Sequence, residues 1–380
     1  MTCQREELGY EEWVCSNDGY SEQQHHSCRH RSCPRCHASQ THQWLERTQA
    51  RLLPCDHYHV VFTLPHELNL IWQYNRKWCC DHLFKASAET LKQLLTDERH
   101  LGAEVGIVSS LHTWGRTLSF HPHIHLLVSG GGLFQQQWKP VKNDFLLPVG
   151  IIKAKFRGKW LSWLNKAYDN GELKRPSHWL DSDWRRVLIA VARKNWNVRI
   201  QAGYRHGKGV INYLSRYIRG GPIKDHRLLA ANDNTVTFRY LDHRDAKEKE
   251  MSLDTEHFMT RVLWHVPVKG LHNVRYYGLY VPGARQKRNH IREKLNITPE
   301  VRPEKVPLKP HHCRKCGLTM RLQISVQRTF SYIKSIHHSG LGGKVQQGVE
   351  ADRKKASDHR KHYPDRLSIG FFGPYGGSLT

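Results

Sequence analysis

Nowhere does this chain hold the roughly 20 consecutive apolar side chains that a bilayer crossing requires. Its opening, Met1-Thr-Cys-Gln-Arg-Glu-Glu7, also lacks the apolar core of a secretion signal, so it reads as cytoplasmic. Acidic side chains are scarce: 34 Asp and Glu stand against 59 Lys and Arg, a formal charge of +25. The basic residues are spread along the chain and are not gathered on one amphipathic helix. That argues against a membrane surface and makes a polyanion, nucleic acid by default, the expected partner. Residues 1–40 are poor in aliphatic side chains, which excludes an apolar core for that segment. The 380 residues leave room for one main domain with smaller appendages, and no feature specifies an oligomeric state.

Cysteine is not scarce, but its distribution is unlike a disulfide framework. Cys3, Cys15, Cys28, Cys33 and Cys36 cluster at one end and Cys313 and Cys316 near the other. In a reducing compartment such clusters bind zinc more often than they form bridges. Cys33-x-x-Cys36 has the spacing of a zinc knuckle, and Cys28 and Cys15 complete a four-sulfur Zn²⁺ site, with Asp18 and His26 in reserve. The plain alternative is a loose arm with free thiols. Arg29, His30, Arg31 and Arg35, threaded between the thiols, suit contact with phosphates. Cys313-Arg-Lys-Cys316-Gly317 is a second knuckle with two sulfurs, for which His311, His312, His337 and His338 are candidate partners. Cys55, Cys79 and Cys80 read as core residues.

The most informative stretch is His121-Pro-His-Ile-His-Leu-Leu-Val128, followed by Ser129 and three glycines, Gly130 to Gly132. In a strand the side chains at i and i+2 share a face, so His123 and His125 point together while Ile124, Leu126 and Val128 face a core. Two imidazoles on one face can hold a divalent metal, although with 28 histidines in the chain such a pair also arises without function. Residues 104–114 read as a preceding strand. A hairpin turning near Thr117 and Leu118 sets His112 opposite His123, as a third imidazole. That turn lacks an Asn-Gly or Asp-Gly signature, so His121 and Glu67 remain alternatives for the third ligand.

Further strands are expected at 57–64, 145–149, 196–201, 235–241, 250–253 and 274–281. Helices are expected at 75–95, near 156–168 and 183–195, and at 254–266 with Asp254 as N-cap. Residues 210–219 form another helix, stopped by Gly220-Gly221-Pro222. Ile211, Leu214 and Ile218 make its apolar stripe, and Tyr213 and Tyr217, four apart, share a neighbouring face. Taken alone they are packing tyrosines. Beside a metal-binding strand in a basic chain they suit phosphoryl transfer from DNA to a phenolate, with Mg²⁺ or Mn²⁺ at the histidines and Lys208, Arg216 and Arg219 as cationic, DNA-contacting neighbours.

His121-Pro-His-Ile-His125 with its glycines, and Tyr213-Leu-Ser-Arg-Tyr217, resemble the signature of the two-tyrosine rolling-circle transposases. These are the insertion-sequence-ninety-one family, relatives of Helitrons within the HUH endonuclease superfamily. The resemblance runs from the cysteine segment through Thr63-Leu-Pro-His-Glu67, Leu111-His-Thr-Trp-Gly115 and Arg275-Tyr-Tyr-Gly278 to the Cys313-x-x-Cys316 knuckle. It implies an α+β fold with an antiparallel sheet of the HUH endonuclease type and packed helices, plus an N-terminal zinc-binding segment and a C-terminal zinc knuckle. It further implies His123 and His125 as metal ligands, Tyr213 and Tyr217 as nucleophiles, 5′-phosphotyrosine intermediates, and single-stranded element ends and target DNA as substrates. Family members commonly have a Cys-x-x-Cys pair where this chain has Cys15-Ser-Asn-Asp18.

The expected organisation is a zinc-binding, DNA-contacting segment at 1–45, a catalytic domain at 50–295, a linker and knuckle at 296–340, and a basic, disordered tail at 341–380. Three rival functions remain: a replication initiator or relaxase with the same nicking chemistry, a non-catalytic zinc-knuckle DNA-binding protein, and a metal-dependent hydrolase using water.

Overall fold

The computed structural model describes residues 3–33, 35–36, 38–204, 209, 211–212, 221–242, 244–301, 303 and 310–327. In chain order the strands are β1 (Gly9–Val14), β2 (Ser21–His25), β3 (His57–Thr63), β4 (Glu104–Trp114), β5 (Phe120–Phe134), β6 (Gln137–Pro140), β7 (Asn197–Tyr204), β8 (Leu228–Ala231), β9 (Thr235–Asp242), β10 (Lys247–Asp254), β11 (Val274–Gly278) and β12 (Arg321–Gln327). The helices are α1 (Ala38–Arg51), α2 (Asn69–Tyr74), α3 (Arg76–Thr96), α4 (Val149–Asp169), α5 (Asp181–Arg193), α6 (Thr255–Trp264) and α7 (Arg285–Lys294).

Six strands make the central antiparallel sheet, in the order β11-β4-β5-β3-β7 with β6 paired to β5. Strand alternation divides its residues into two faces. Tyr58, Val60 and Phe62 of β3 and Ile124, Leu126 and Val128 of β5 point into the main core. Helix α3 covers that core with Leu83, Phe84 and Leu91, and α4 with Ile152, Phe156 and Trp160. Phe62 and Phe156 meet edge to face, ring centroids 4.8 Å apart. On the opposite face Val108 and Leu127 pack with Leu52 and Leu53, which follow α1, and with Ile291 of α7. This second face carries the histidines. No helix among the described residues is long and apolar enough to cross a membrane.

Two smaller sheets flank the central one. β8, β9 and β10 form a charged meander whose Val236 and Phe238 bury Leu118 of the β4–β5 turn and Phe258 of α6. The other sheet, β12-β1-β2, joins the two cysteine-bearing stretches of the chain. Glycine ends β11 abruptly: Gly278 has φ +55°, and a Cβ there would lie 2.0 Å from the Val105 carbonyl oxygen.

The expected strand at 145–149 is absent. Leu146 and Leu147 are buried there as a connecting segment, and Val149 opens α4 after Pro148, which has no amide to give a ladder. Residues 247–249 extend the 250–253 strand, since Lys247↔Asp242 and Lys249↔Tyr240 continue its register. Asp254 flanks α6 without a side-chain capping bond, because its carboxylate accepts from His257 Nδ1 at 3.1 Å instead. The expected nucleophile helix at 210–219 lies mostly outside the described residues, as does the basic tail at 341–380.

Candidate functional site

The β4–β5 register is His112↔His123 and Ser110↔His125, the pairing that the hairpin spacing predicts. Period-two geometry then gathers His112, His123 and His125 on the second face, with one ring nitrogen of each within 4.8 Å of the others. Ring centroids are 4.3 Å apart for His112 and His125, 4.9 Å for His123 and His125, and 5.4 Å for His112 and His123. The turn manages without Asn-Gly because the chain bulges between His112 and Trp114 and Leu118 takes a left-handed conformation, anchored by its burial.

Hydrogen bonds orient the rings of His125 and His123. The Gln201 side-chain oxygen Oε1 accepts from His59 Nδ1 at 3.0 Å, which leaves the His59 Nε2 lone pair facing His125 Nδ1 at 2.8 Å. His125 Nδ1–H therefore donates to His59, and its Nε2 keeps a lone pair. His123 Nδ1–H donates to the His121 carbonyl at 2.6 Å, with the same result at its Nε2. A ligating histidine is ordinarily held in this way by its other nitrogen. Burial pushes the His112 and His125 imidazoles well below their ordinary range and His123 down to about 4. All three are neutral at physiological pH, the form that binds metal. His59 and Gln201 carried no sequence signal of this role, which depends on β3 and β7 lying adjacent in the sheet.

Neither alternative third ligand, Glu67 or His121, belongs to this group among the described residues. The Glu67 carboxylate pairs with Lys194 and lies 3.5 Å from His66. His121 offers its backbone carbonyl to His123, and its exposed ring lies 5.2 Å, centroid to centroid, from that of His123.

Tyr213, Tyr217, Lys208, Arg216 and Arg219 lie outside the described residues. The described residues on either side pack against the rest of the chain. Ile211 is fully buried with Val108 and Leu127 on the histidine-bearing face, and Asn212 Oδ1 accepts from Gln49 Nε2 of α1 at 3.2 Å. On the other side, Gly221 has φ +69°, and a Cβ there would lie 2.5 Å from the Ser32 carbonyl oxygen. Arg35 pairs with Asp225 at 2.8 Å, and Arg31 donates to the carbonyls of Val268 and Leu271. The Cys28–Cys36 loop is thus docked against the chain on both sides.

The cysteines group differently from the Cys15, Cys28, Cys33 and Cys36 set that spacing suggests. Cys3, Cys28, Cys33 and Cys36 converge, and Cys15 joins Asp18, Cys313 and Cys316. The reason is the hairpin of β1 and β2, which pairs Tyr10 with His25. Its open end brings Cys28 back to Cys3, whose sulfur accepts the Cys28 amide at 3.4 Å. Its turn carries Cys15 off by the length of a six-residue strand, about 20 Å. The four converging thiols are a donor set suited to Zn²⁺. Of the reserve and partner histidines, His311 stacks on Trp13 at 4.7 Å and His312 Nδ1 bonds the Gly317 carbonyl at 3.0 Å. His26 belongs to neither group among the described residues, and His337 and His338 lie outside them.

Beside α1 runs a groove of about 470 Å³ lined by Arg31, Trp44, Arg47, Arg51 and Tyr276. The Arg51 guanidinium sits 4.5 Å above the Tyr276 ring. Tyr276 pairs with Val108, so it projects from the histidine-bearing face.

Comparison with known proteins bears on both the histidine hairpin and the cysteine segment. A family model described as "Putative transposase" matches residues 106–289, which include all three histidines, and one described as "Transposase zinc-binding domain" matches residues 1–64. "Putative transposase y4qJ" of Sinorhizobium fredii is 38% identical over 283 residues, spanning 73% of this chain and 71% of that protein. The "Transposase for insertion sequence element IS801" of Pseudomonas savastanoi pv. phaseolicola is 34% identical over 290 residues, spanning 73% of this chain and 68% of that protein. A solved conjugative relaxase, TrwC, in a metal-bound complex with oriT DNA, is 12% identical with a TM-score of 0.23, over 42% of this chain and 70% of that one, a likeness too slight to argue from. With two relatives matched along more than two thirds of their length, the chain belongs to the insertion-sequence-ninety-one family of transposases.

Proposed function

We propose that this transposase cuts and rejoins single-stranded DNA at its element ends by a tyrosine nucleophile, working beside a divalent cation held by His112, His123 and His125. The observation that carries this reading is the convergence of three neutral imidazoles on one hairpin, on the face where Ile211, two residues before Tyr213, is buried. A bound cation would polarise the scissile phosphoryl group and offset its developing charge. An all-imidazole set is softer than the oxygen cages Mg²⁺ prefers, so Mn²⁺ is the better fit of the two expected ions.

In the proposed step the Tyr213 or Tyr217 phenolate forms a bond to phosphorus, and the bond to the 3′-oxygen breaks. That oxygen leaves as a free 3′-hydroxyl once protonated, and the 5′-phosphate remains on tyrosine. A free phenol has a pKa near 10, so cationic neighbours must favour its ionised form. Lys208, Arg216 and Arg219 are the proposed cations. Two nucleophiles let one end be held while the second is cut. The Arg- and Trp-lined groove beside α1 suits single-stranded DNA, since guanidinium groups meet phosphates and aromatic faces stack on bases.

The Tyr213→Phe, Tyr217→Phe double variant is the test. It is expected to bind DNA and Mn²⁺ as the parent does and to cleave no labelled oligonucleotide. Cleavage that persists would assign the nucleophile to water.

A further inference from the structure

Two turns far apart in the chain share one form. In Cys15-Ser-Asn-Asp18-Gly19-Tyr20 the Gly19 amide donates to the Cys15 carbonyl at 3.1 Å, and the Cys15 amide to the Tyr20 carbonyl at 2.8 Å. In Cys313-Arg-Lys-Cys316-Gly317-Leu318 the corresponding bonds, Gly317 to Cys313 and Cys313 to Leu318, measure 2.9 and 2.8 Å. Gly19 and Gly317 both take left-handed backbone, φ +66° and +75°, where a side chain is strained. Backbone amides face the first sulfur of each turn, those of Asn17 and Asp18 on Cys15 and that of Lys315 on Cys313 at 3.4 Å. By this correspondence Asp18 holds the place that Cys316 holds in the other turn.

The two turns also face each other. Cys15 Sγ lies 3.4 Å from Cys316 Sγ, Asp18 Oδ2 lies 3.4 Å from Cys313 Sγ, and the four donor atoms fall within 4.8 Å of one another. Donors around a tetrahedral Zn²⁺ stand about 3.5–3.8 Å apart, given ordinary zinc–oxygen and zinc–sulfur bonds. The second carboxylate oxygen, Oδ1, accepts the Tyr20 amide at 3.0 Å, which leaves Oδ2 turned to the sulfurs. Cys15 and Cys313 are buried against Met320, with Trp13 and Tyr20 packed around them.

We propose that Cys15, Asp18, Cys313 and Cys316 form a second zinc site, with three thiolates and one carboxylate, that clamps β12 onto β1. The site is distinct from the four-sulfur cluster of Cys3, Cys28, Cys33 and Cys36. It draws half its ligands from beyond the 1–64 segment matched by the zinc-binding family model, and it does not rest on the cleavage chemistry proposed above. Carboxylate is a harder ligand than thiolate, so this site holds zinc less tightly than its four-sulfur neighbour and releases it first.

The experiment uses the full chain, with zinc counted by native mass spectrometry and its release to a chromogenic chelator followed in time. Cys316→Ser and Asp18→Ala are each expected to lose one zinc relative to the parent protein. Asp18→Cys is expected to keep the parent's zinc count, to slow the fast phase of release by about tenfold or more, and to move the visible bands of the Co²⁺-substituted protein toward those of a four-sulfur site. The Asp18→Cys variant keeps the test open if Asp18→Ala fails to fold. An unchanged zinc count in Cys316→Ser would overturn the site. Unchanged release and Co²⁺ bands in Asp18→Cys would overturn Asp18 as a ligand.

Discussion

His59 makes no proposed metal contact, yet it decides which nitrogen of His125 carries the proton. It receives the His125 Nδ1 proton because its own Nδ1 proton is committed to Gln201. His59→Ala should weaken Mn²⁺ binding by about 10- to 100-fold, the usual cost of losing such a partner. Titration calorimetry would show this, with cleavage recovering at high Mn²⁺. His123→Ala, which removes a proposed ligand outright, should not recover. Equal loss in both variants would place His59 among the ligands. His265 gives a second residue-scale prediction. Its nitrogens meet Thr113 Oγ1 and the Leu118 carbonyl, and burial lowers its pKa to about 4. The unfolded chain binds this proton near pH 6.5, so between there and about 4 the unfolded state holds more protons and stability falls with falling pH. The expected loss is about 3 kcal/mol by pH 4. His265→Gln should flatten that part of a denaturation–pH profile.

At the scale of elements, the central hairpin was legible because period two puts like residues on one face. From His123 to Leu126 histidine and core positions alternate, while the pairing of His112 with His123 had only their spacing to support it, since the turn carries no Asn-Gly or Asp-Gly signature. The hairpin β1–β2 and the strand β12 were not legible. Their stretches, GYEEWV and SEQQH in the hairpin and RLQISVQ in β12, bury little and acquire partners only through a pairing between distant parts of the chain. The same gap hides the partners of Cys15: counting spacings along a line cannot show that a hairpin carries one cysteine away, to Asp18, Cys313 and Cys316, and returns another. Element packing also yields a prediction. Gly221 abuts the Ser32 carbonyl of the Cys28–Cys36 loop, so Gly221→Ala forces a close contact at a left-handed position, at a cost of about 1–3 kcal/mol. It should slow DNA cleavage while leaving zinc content unchanged. Full cleavage activity would show that docking of the loop is dispensable.

Across the whole molecule the excess of 25 positive charges sets how it meets DNA. Binding to single-stranded oligonucleotides should weaken steeply with salt, and Arg47→Ala with Arg51→Ala should make the slope shallower by about 1 to 1.5. Trp44→Ala should instead lower affinity by about 1–3 kcal/mol at every salt concentration, as loss of a stacking surface does. Affinity and salt slope left unchanged by both sets of substitutions would mean that the groove beside α1 is not the DNA path. These effects concern binding alone. The central claim is covalent chemistry, and its most direct measurement is peptide mapping of the protein after incubation with element-end oligonucleotides and Mn²⁺. The account predicts a 5′-phosphonucleotide on Tyr213 or Tyr217, absent with EDTA and absent in His123→Ala. Metal-dependent cleavage with no nucleotide attached to any tyrosine would contradict it.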